Sequence, residues 1–438
     1  MVFPLFSISE AAEVLMTTEK IFDAKEKNEV ILVSVMEKGA EKREYEASFD
    51  ELCRLAETAG AAVYARMIQE KEAPDARTYI GSGKVRELAE LCRTGEVSTV
   101  IFDCELTPSQ IKNLEDELKD VRVIDRSMLI LDIFALHAKS GEGKLQVELA
   151  QLKYTVPRLT GQGTALSRLG GGIGTRGPGE SKLETDRRHV KRRIDALEAE
   201  LAALAKTRAV QRNARERAGI FKVAIAGYTN AGKSTLLNSL TDAGILAEDK
   251  LFATLDPTTR RFSLPSGEEI LLTDTVGFIR NLPHHLIRAF RSTLDEVCYA
   301  DAILVVIDAS DPESEAQAAV TIKLIDELGA ADKPVLFVYN KCDLGIAAHP
   351  MARSEQSVFL SAVTGEGIDA LVSRLEALAA AGKRTCEFFF PSDKLGLIAA
   401  LYAGANVCSV EYGNDGAHVL AVCDKKTAGQ LSAYLVRS

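Results

Sequence analysis

The stretch Gly227-Tyr228-Thr229-Asn230-Ala231-Gly232-Lys233-Ser234 constrains this chain more than any other. It fits the pattern G-x-x-x-x-G-K-[S/T]. The apolar run Lys222-Val-Ala-Ile-Ala226 precedes it, and Thr235-Leu-Leu-Asn-Ser-Leu240 opens a helix after it. Strand, loop and helix in that order are the context the pattern requires. The backbone N–H groups of such a loop wrap phosphates, and the helix N-terminus adds a favourable dipole. Lys233 is expected to reach the β- and γ-phosphates, and the Ser234 hydroxyl to ligate Mg²⁺. The surrounding domain is therefore expected to be α/β with a mainly parallel sheet.

Two further motifs narrow the ligand. Asp274-Thr275-Val276-Gly277 follows the apolar run Ile270-Leu-Leu-Thr273. An Asp at a strand end can hold Mg²⁺ through its water shell, and the Gly277 N–H can contact a γ-phosphate. Asn340-Lys341-Cys342-Asp343 follows Pro334-Val-Leu-Phe-Val-Tyr339. A carboxylate at Asp343 accepts from guanine N1–H and N2–H₂. Adenine has no such donor pair, so the carboxylate would be left unpaired against it. Ser361-Ala362-Val363 can offer a backbone N–H to guanine O6. The three motifs in this order imply GTP and GDP as ligands. Switch I is expected at Leu251-Phe252-Ala253-Thr254-Leu255-Asp256-Pro257-Thr258-Thr259-Arg260. Thr254, Thr258 and Thr259 each offer a hydroxyl for the metal.

At 438 residues the chain is long enough for several domains. The expected layout is an N-terminal α/β domain over 1–138, an antiparallel helical hairpin over 139–219, a GTPase domain over 220–382 and a small α+β domain over 383–438. In the first, strand patterns Val30–Met36, Ala62–Ile68, Ser98–Asp103 and Val121–Asp125 alternate with helical ones, which implies a parallel sheet. Gly81-Ser82-Gly83-Lys84 reads as a turn opening a helix, since it lacks full phosphate-loop spacing. In the last domain a Gly-Asn-Asp-Gly turn at 413–416 joins two strands.

In the hairpin, Val190, Ile194, Leu197, Leu201 and Leu204 step by four and three, the spacing of a packed helical seam. Its connection is rich in glycine and carries Arg158, Arg168, Arg176 and Lys182. From Lys139 to Lys222 there are 18 Lys/Arg against 9 Asp/Glu, a local +9 in a chain of net charge −10. A basic island on an acidic protein points to one polyanion-binding surface. Arg168, Arg176 and Lys182 are expected to face RNA there.

The eight cysteines show no CxxC spacing, which implies buried thiols rather than a zinc site or a disulfide framework. No uncharged run approaches the ~20 residues of a membrane helix. A monomer in the cytoplasm is expected, with no membrane or DNA partner.

Arg176-Gly-Pro-Gly-Glu180-Ser-Lys-Leu-Glu-Thr-Asp-Arg-Arg188, GYTNAGKS, Phe252-Ala-Thr-Leu-Asp-Pro-Thr-Thr-Arg260 and Asp274-Thr-Val-Gly-Phe278 together resemble the HflX family of translational GTPases. The resemblance spans about residues 28–382. It implies binding to ribosomal RNA of the large (50S) ribosomal subunit, with splitting or rescue of stalled ribosomes. It places the hairpin in the functional centre of that subunit and makes Thr254 the second Mg²⁺ ligand. Where Ras-like GTPases carry a water-orienting Gln, this chain has Phe278, so a slow intrinsic rate is expected. Asn230 stands in a place similar to the K⁺-ligating Asn of potassium-activated GTPases. Other readings are a ribosome-biogenesis or RNA-modification GTPase, and a nucleotide-gated scaffold for a protein partner.

Overall fold

The computed structural model describes residues 28–39, 41–161, 178–217, 220–241, 251–252, 255–347, 356–381 and 383–437. The chain divides into two units. The first takes residues up to Ala202 together with Asp249–Asp256 and Arg280–Arg291, and the second takes the rest. The expected class, multidomain α/β with a parallel-sheet P-loop domain and a small C-terminal domain, is what the chain adopts.

The first unit is built on four parallel strands, β1 (Glu29–Glu37), β2 (Ala62–Lys71), β3 (Thr99–Phe102) and β4 (Arg122–Asp125), in the order β2-β1-β3-β4. Helices α1 (Lys42–Thr58), α2 (Ser82–Gly95), α3 (Pro108–Leu118) and α4 (Arg126–His137) connect and follow them. Strand side chains alternate between faces. Ile31, Val33, Val100 and Phe102 pack with Val85 and Leu88 of α2 and Leu114 of α3. Val30, Leu32 and Ile101 are equally buried, as are Leu52 and Leu55 of α1 and Ile130 and Phe134 of α4. Thr107 starts α3 with a capping box completed by Gln110, and Pro108 sits at the first turn. The turn at Gly81-Ser82-Gly83-Lys84 is a helix start, as expected. Gly81 N donates to Gln69 Oε1 at 2.8 Å, and Lys84 pairs with Glu87 at 2.8 Å.

A buried polar knot ties α4 to the sheet. Arg126, 2% exposed, donates to Asp103 at 2.7 Å, to Glu51, and to the Arg280 carbonyl at 3.1 Å. Helices α5 (Gly141–Thr155) and α6 (Pro178–Arg217) follow. Leu152, Val190 and Leu197 form the hairpin's buried seam, flanked by Leu145, Leu149, Val156 and Ile194. Arg193–Glu148 at 2.6 Å and Lys153–Glu198 at 2.7 Å bridge the same two helices.

In the second unit, six strands run β10-β9-β8-β5-β7-β6, namely β5 (Phe221–Gly227), β6 (Thr258–Ser263), β7 (Glu269–Asp274), β8 (Ala302–Asp308), β9 (Val335–Asn340) and β10 (Ser357–Phe359). All neighbours are parallel except β6, which lies antiparallel on β7. Strand β6 departs from the expectation that Thr258–Arg260 belong to switch I. Cross-strand pairing wins there, because Thr259 Oγ1 bonds Thr273 Oγ1 at 3.0 Å. Helices α7 (Lys233–Thr241), α8 (His284–Ala289), α9 (Arg291–Cys298), α10 (Ser314–Glu327) and α11 (Ile368–Ala381) complete the alternation, α8 falling in the first unit.

The C-terminal sheet is antiparallel, β12-β13-β11-β14, from β11 (Lys383–Pro391), β12 (Ala405–Tyr412), β13 (Gly416–Asp424) and β14 (Leu435–Arg437). Helices α12 (Leu397–Gly404) and α13 (Lys425–Gln430) join its strands. Phe388, Phe390, Leu401 and Val419 fill its core. The last strand, β14, was not visible in the sequence. The cysteines correct the expectation of uniformly buried thiols: all eight are free, but Cys408 is exposed and Cys104, Cys298 and Cys342 are half-buried. Among the described residues no helix is long and apolar enough to cross a membrane.

Asp132 of α4 is 9% exposed, and its Oδ1 takes only a long bond from Gln151 at 3.4 Å. Burial pushes its carboxyl up to about 7, against weaker pulls from Arg122 and Gln151. The folded state then holds a proton that the unfolded state releases near its ordinary value. Stability therefore falls as pH rises from about 4 to 7, by at most ~1.4 kcal/mol per pH unit. Denaturant titrations across that range should show this slope, and Asp132→Asn should remove it.

Candidate nucleotide site

Strand β5 lies between β7 and β8 in the sheet, so its C-terminal end opens where the neighbouring strands also end. That edge is where α/β sheets bind ligands. Gly227 ends β5, and Lys233 begins α7. Between them the loop is held from both sides. Phe278 N donates to Gly227 O at 3.1 Å, and Thr229 N donates to Phe278 O at 2.8 Å. On the other side Asn340 Nδ2 donates to Ala231 O at 2.9 Å, while Asn340 Oδ1 accepts from Ala362 N at 2.9 Å. One amide thus ties the phosphate loop to the loop that starts at Ser361.

Gly232 and Gly277 show why glycine is needed here. Gly232 has φ +90°, and a Cβ on it would strike Asn340. A Cβ on Gly277 would lie 2.8 Å from Thr229 Cα and 2.9 Å from Lys233 Nζ. Without a side chain at either position the two backbones can approach this closely.

Lys233 is buried, 6% exposed, and its ammonium donates to Tyr228 O at 2.8 Å. Burial lowers its pKa to about 8; Asp274 pulls it back up and Lys341 pushes it further down. A buried ammonium of this kind gains most from an anionic phosphate. Asp274, 0% exposed, accepts from Ser234 Oγ at 2.6 Å. The hydroxyl and the carboxylate are hard oxygen donors side by side, the ligand chemistry that suits Mg²⁺. Thr275 adds bonds from N and Oγ1 to Ile225 O at 3.2 and 2.9 Å, fixing the start of the DTVG segment. Thr235 lies in the first turn of α7 and Val276 is buried.

At the base end, Lys341 leaves β9 with φ +63°, and Asp343 is exposed on the short helix Cys342–Leu344. Ser361 is buried, and Val363 is 78% exposed. Asn230 also has a left-handed backbone, φ +63°.

The expected switch I residues are placed differently. Phe252, Leu255 and Asp256 belong to the first unit. Phe252 packs edge-on against Phe134, ring centroids 4.7 Å apart. Asp256 takes hydrogen bonds from Lys139 N at 3.0 Å, Ser140 N at 2.7 Å and the Ser140 hydroxyl, at the N-terminus of α5. Ala253 and Thr254 lie outside the described residues, as do Arg168, Arg176 and the Lys182 side chain. Arg158, grouped with the basic loop in the sequence, turns out to be structural. Its guanidinium stacks on Tyr154 and donates to Tyr154 O at 2.7 Å and Leu106 O at 3.0 Å. Sequence reasoning also missed Phe278 as a backbone clamp. Its apolar side chain, 1% exposed, was the signal that the residue belongs to the core.

A parallel sheet with this loop, the DTVG and the NKCD at its C-terminal edge defines a P-loop GTPase. Similarity carries the assignment further. Residues 46–135 match the family described as GTP-binding GTPase N-terminal, and 137–215 the GTP-binding GTPase middle region. Residues 222–341 match the 50S ribosome-binding GTPase family, and 347–433 the HflX C-terminal domain. The GTPase HflX of Lacrimispora saccharolytica is 48% identical over 92% of this chain and 95% of its own length. That of Caldanaerobacter subterraneus is 50% identical over 85% of each. A GTP-binding protein of Sulfolobus solfataricus, solved with GDP, is 28% identical over 80% of this chain and 99% of its own, with a TM-score of 0.43. The chain belongs to the HflX family of GTPases.

Asn340→Ala removes both bonds of the bridging amide. Two net hydrogen bonds amount to about 2 kcal/mol, so GDP affinity should fall about 30-fold. Equilibrium titration with a fluorescent GDP checks this. An affinity within twofold of the parent would show that the clamp does not shape the loop.

Proposed function

We propose that this GTPase acts on the large ribosomal subunit and, in its GTP state, helps split or rescue stalled ribosomes. The observation that carries the reading is a local charge of +9 beside a GTPase domain, in a chain that is otherwise acidic. The likeness of residues 222–341 to 50S ribosome-binding GTPases supports it. Arg168, Arg176 and Lys182 are the proposed RNA contacts. The hairpin over 139–219 is the proposed ribosome-facing domain, between an N-terminal domain over 1–138 and a GTPase domain over 220–382, with a further domain over 383–438. The protein works in the cytoplasm, where ribosomes are.

In this reading Gly227–Thr235 cradle the phosphates, and Gly277 follows the γ-phosphate. Asn340, Lys341, Asp343 and the loop Ser361-Ala362-Val363 hold the guanine. Ser234 and Thr254 ligate Mg²⁺, with Asp274 acting through water. The ion would screen phosphate charge as the terminal phosphoryl leaves. With Phe278 in place of a Gln, the chain itself brings no side chain at that position to orient water. The ribosome supplies the arrangement, and a K⁺ held by Asn230 contributes to it.

Purified large subunits should raise the GTPase rate at least about tenfold, the size expected when a partner orders a switch. Sedimentation should find more protein on large subunits with a GTP analogue than with GDP. Equal binding in both states would sink the switch reading. Replacing Arg168 and Arg176 by Ala should weaken that binding and spare nucleotide affinity. Exchanging K⁺ for Na⁺ should slow hydrolysis; an unchanged rate removes the Asn230 role.

A further inference from the structure

Strand β8 ends at Asp308, directly beside Asn340 at the end of β9. Asp308 carries no part of the three nucleotide motifs. Yet both of its carboxylate oxygens are engaged at the rim of the base end. Oδ1 accepts from Ser310 N at 3.0 Å and from Ser310 Oγ at 2.6 Å. Oδ2 takes the Lys341 ammonium at 2.7 Å. The two side chains are only 16% and 22% exposed. The backbone adds a further tie, Ala309 N to Asn340 O at 2.8 Å.

Exposed ion pairs between long side chains contribute little, because ordering the chain offsets the attraction. This pair differs in that the acceptor is already immobile. Ser310 fixes one oxygen, the sheet fixes the backbone, and solvent reaches little of either partner. Lys341 is also launched from a left-handed backbone, φ +63°, so its direction of departure is set. The four-carbon stem would otherwise sample many rotamers. Held at its tip, it becomes a rigid bar next to Asp343.

We propose that Asp308 is a positioning residue for the nucleotide base: it holds the Lys341 side chain so that the methylene stem lies ready as one wall against the purine face. A ring gains from such a stem by apolar contact and from the nearby charge by cation–π attraction. Both gains require the stem to be in place before the base arrives, which is preorganisation. The role rests on the GTPase assignment and is independent of any ribosomal target. It acts on the face of the ring, whereas Asp343 reads its edge. Asp308 therefore governs how tightly any purine is kept and leaves untouched which purine is chosen.

The test uses the full chain without ribosomes. Release of a fluorescent GDP is followed by stopped flow, and steady-state GTP hydrolysis gives KM and kcat. Asp308→Asn should speed release about tenfold and raise KM in step, the loss of one charge-assisted hydrogen bond, while kcat is retained. The ratio of GTP to ITP affinity should stay unchanged. Lys341→Ala should produce an effect of similar size, and the double variant should be no worse than Lys341→Ala. Asp308→Glu should recover part of the loss. Unchanged release in Asp308→Asn overturns the proposal, and so does a double variant whose effects multiply. If Asp308→Asn does not fold, Ser310→Ala loosens the same carboxylate from its other oxygen and should speed release about threefold. No change in that variant is equally fatal.

Discussion

The nucleotide cradle depends on holding the phosphate loop to one backbone path from both of its sides. Within the loop Ala231 N turns to Tyr228 O at 3.3 Å, and the ties on its two flanks come from outside it. Here Phe278 takes the outer side by strand-like pairing with Gly227 and Thr229. Asn340 takes the inner side through Ala231. With both flanks tied, the Lys233 ammonium is left bonded to Tyr228 O inside the loop, where a phosphate would offer it a stronger, charged acceptor. The glycines at 232 and 277 follow from this arrangement, because any side chain there would occupy the clamp itself. A loop fixed in advance loses little freedom when a charged ligand arrives.

The sheet is what makes these clamps simultaneous. Asp274, Asp308 and Asn340 all end parallel strands, and Gly227 ends the strand between the first two. Each strand delivers one polar residue to the same edge without needing any loop to find it. Hydrophobic alternation fixes which side chains point to the core, and strand length fixes where the polar residue emerges. The chemistry is therefore registered by packing many residues away, in a core running from Val223 to Leu375.

Much of this was legible in the sequence. The parallel sheets, the loop, the DTVG and the NKCD carry local patterns whose meaning does not depend on distant residues. Two kinds of feature were not. Strand β6 reads as switch I because its threonines are polar and it sits on an edge, where pairing is decided by the partner strand. Arg158 reads as a loop cation because the helix was expected to end at Pro157; its continuation sets Tyr154 one turn below, and the fold brings Leu106. Asp308 was silent for the same reason. Its meaning lies in a neighbour more than thirty residues on. The candidate site was thus readable where it is contiguous and hidden where it is assembled.

The N-terminal sheet borrows pieces from later in the chain. Phe134 is covered by Phe252 and by Phe290, whose ring centroid lies 4.5 Å away, and Ser140, the residue that caps α5, is itself held by Asp256. Arg126 leans on the carbonyl of Arg280. A gene fragment stopping at Arg217 would encode every strand of that sheet and still lack these four groups. It would expose an aromatic face and leave the capping Ser140 without its carboxylate acceptor, so the first half of this protein is not a portable module. A recombinant version meant to stand alone would need polar replacements at Phe134 and a new acceptor for Ser140.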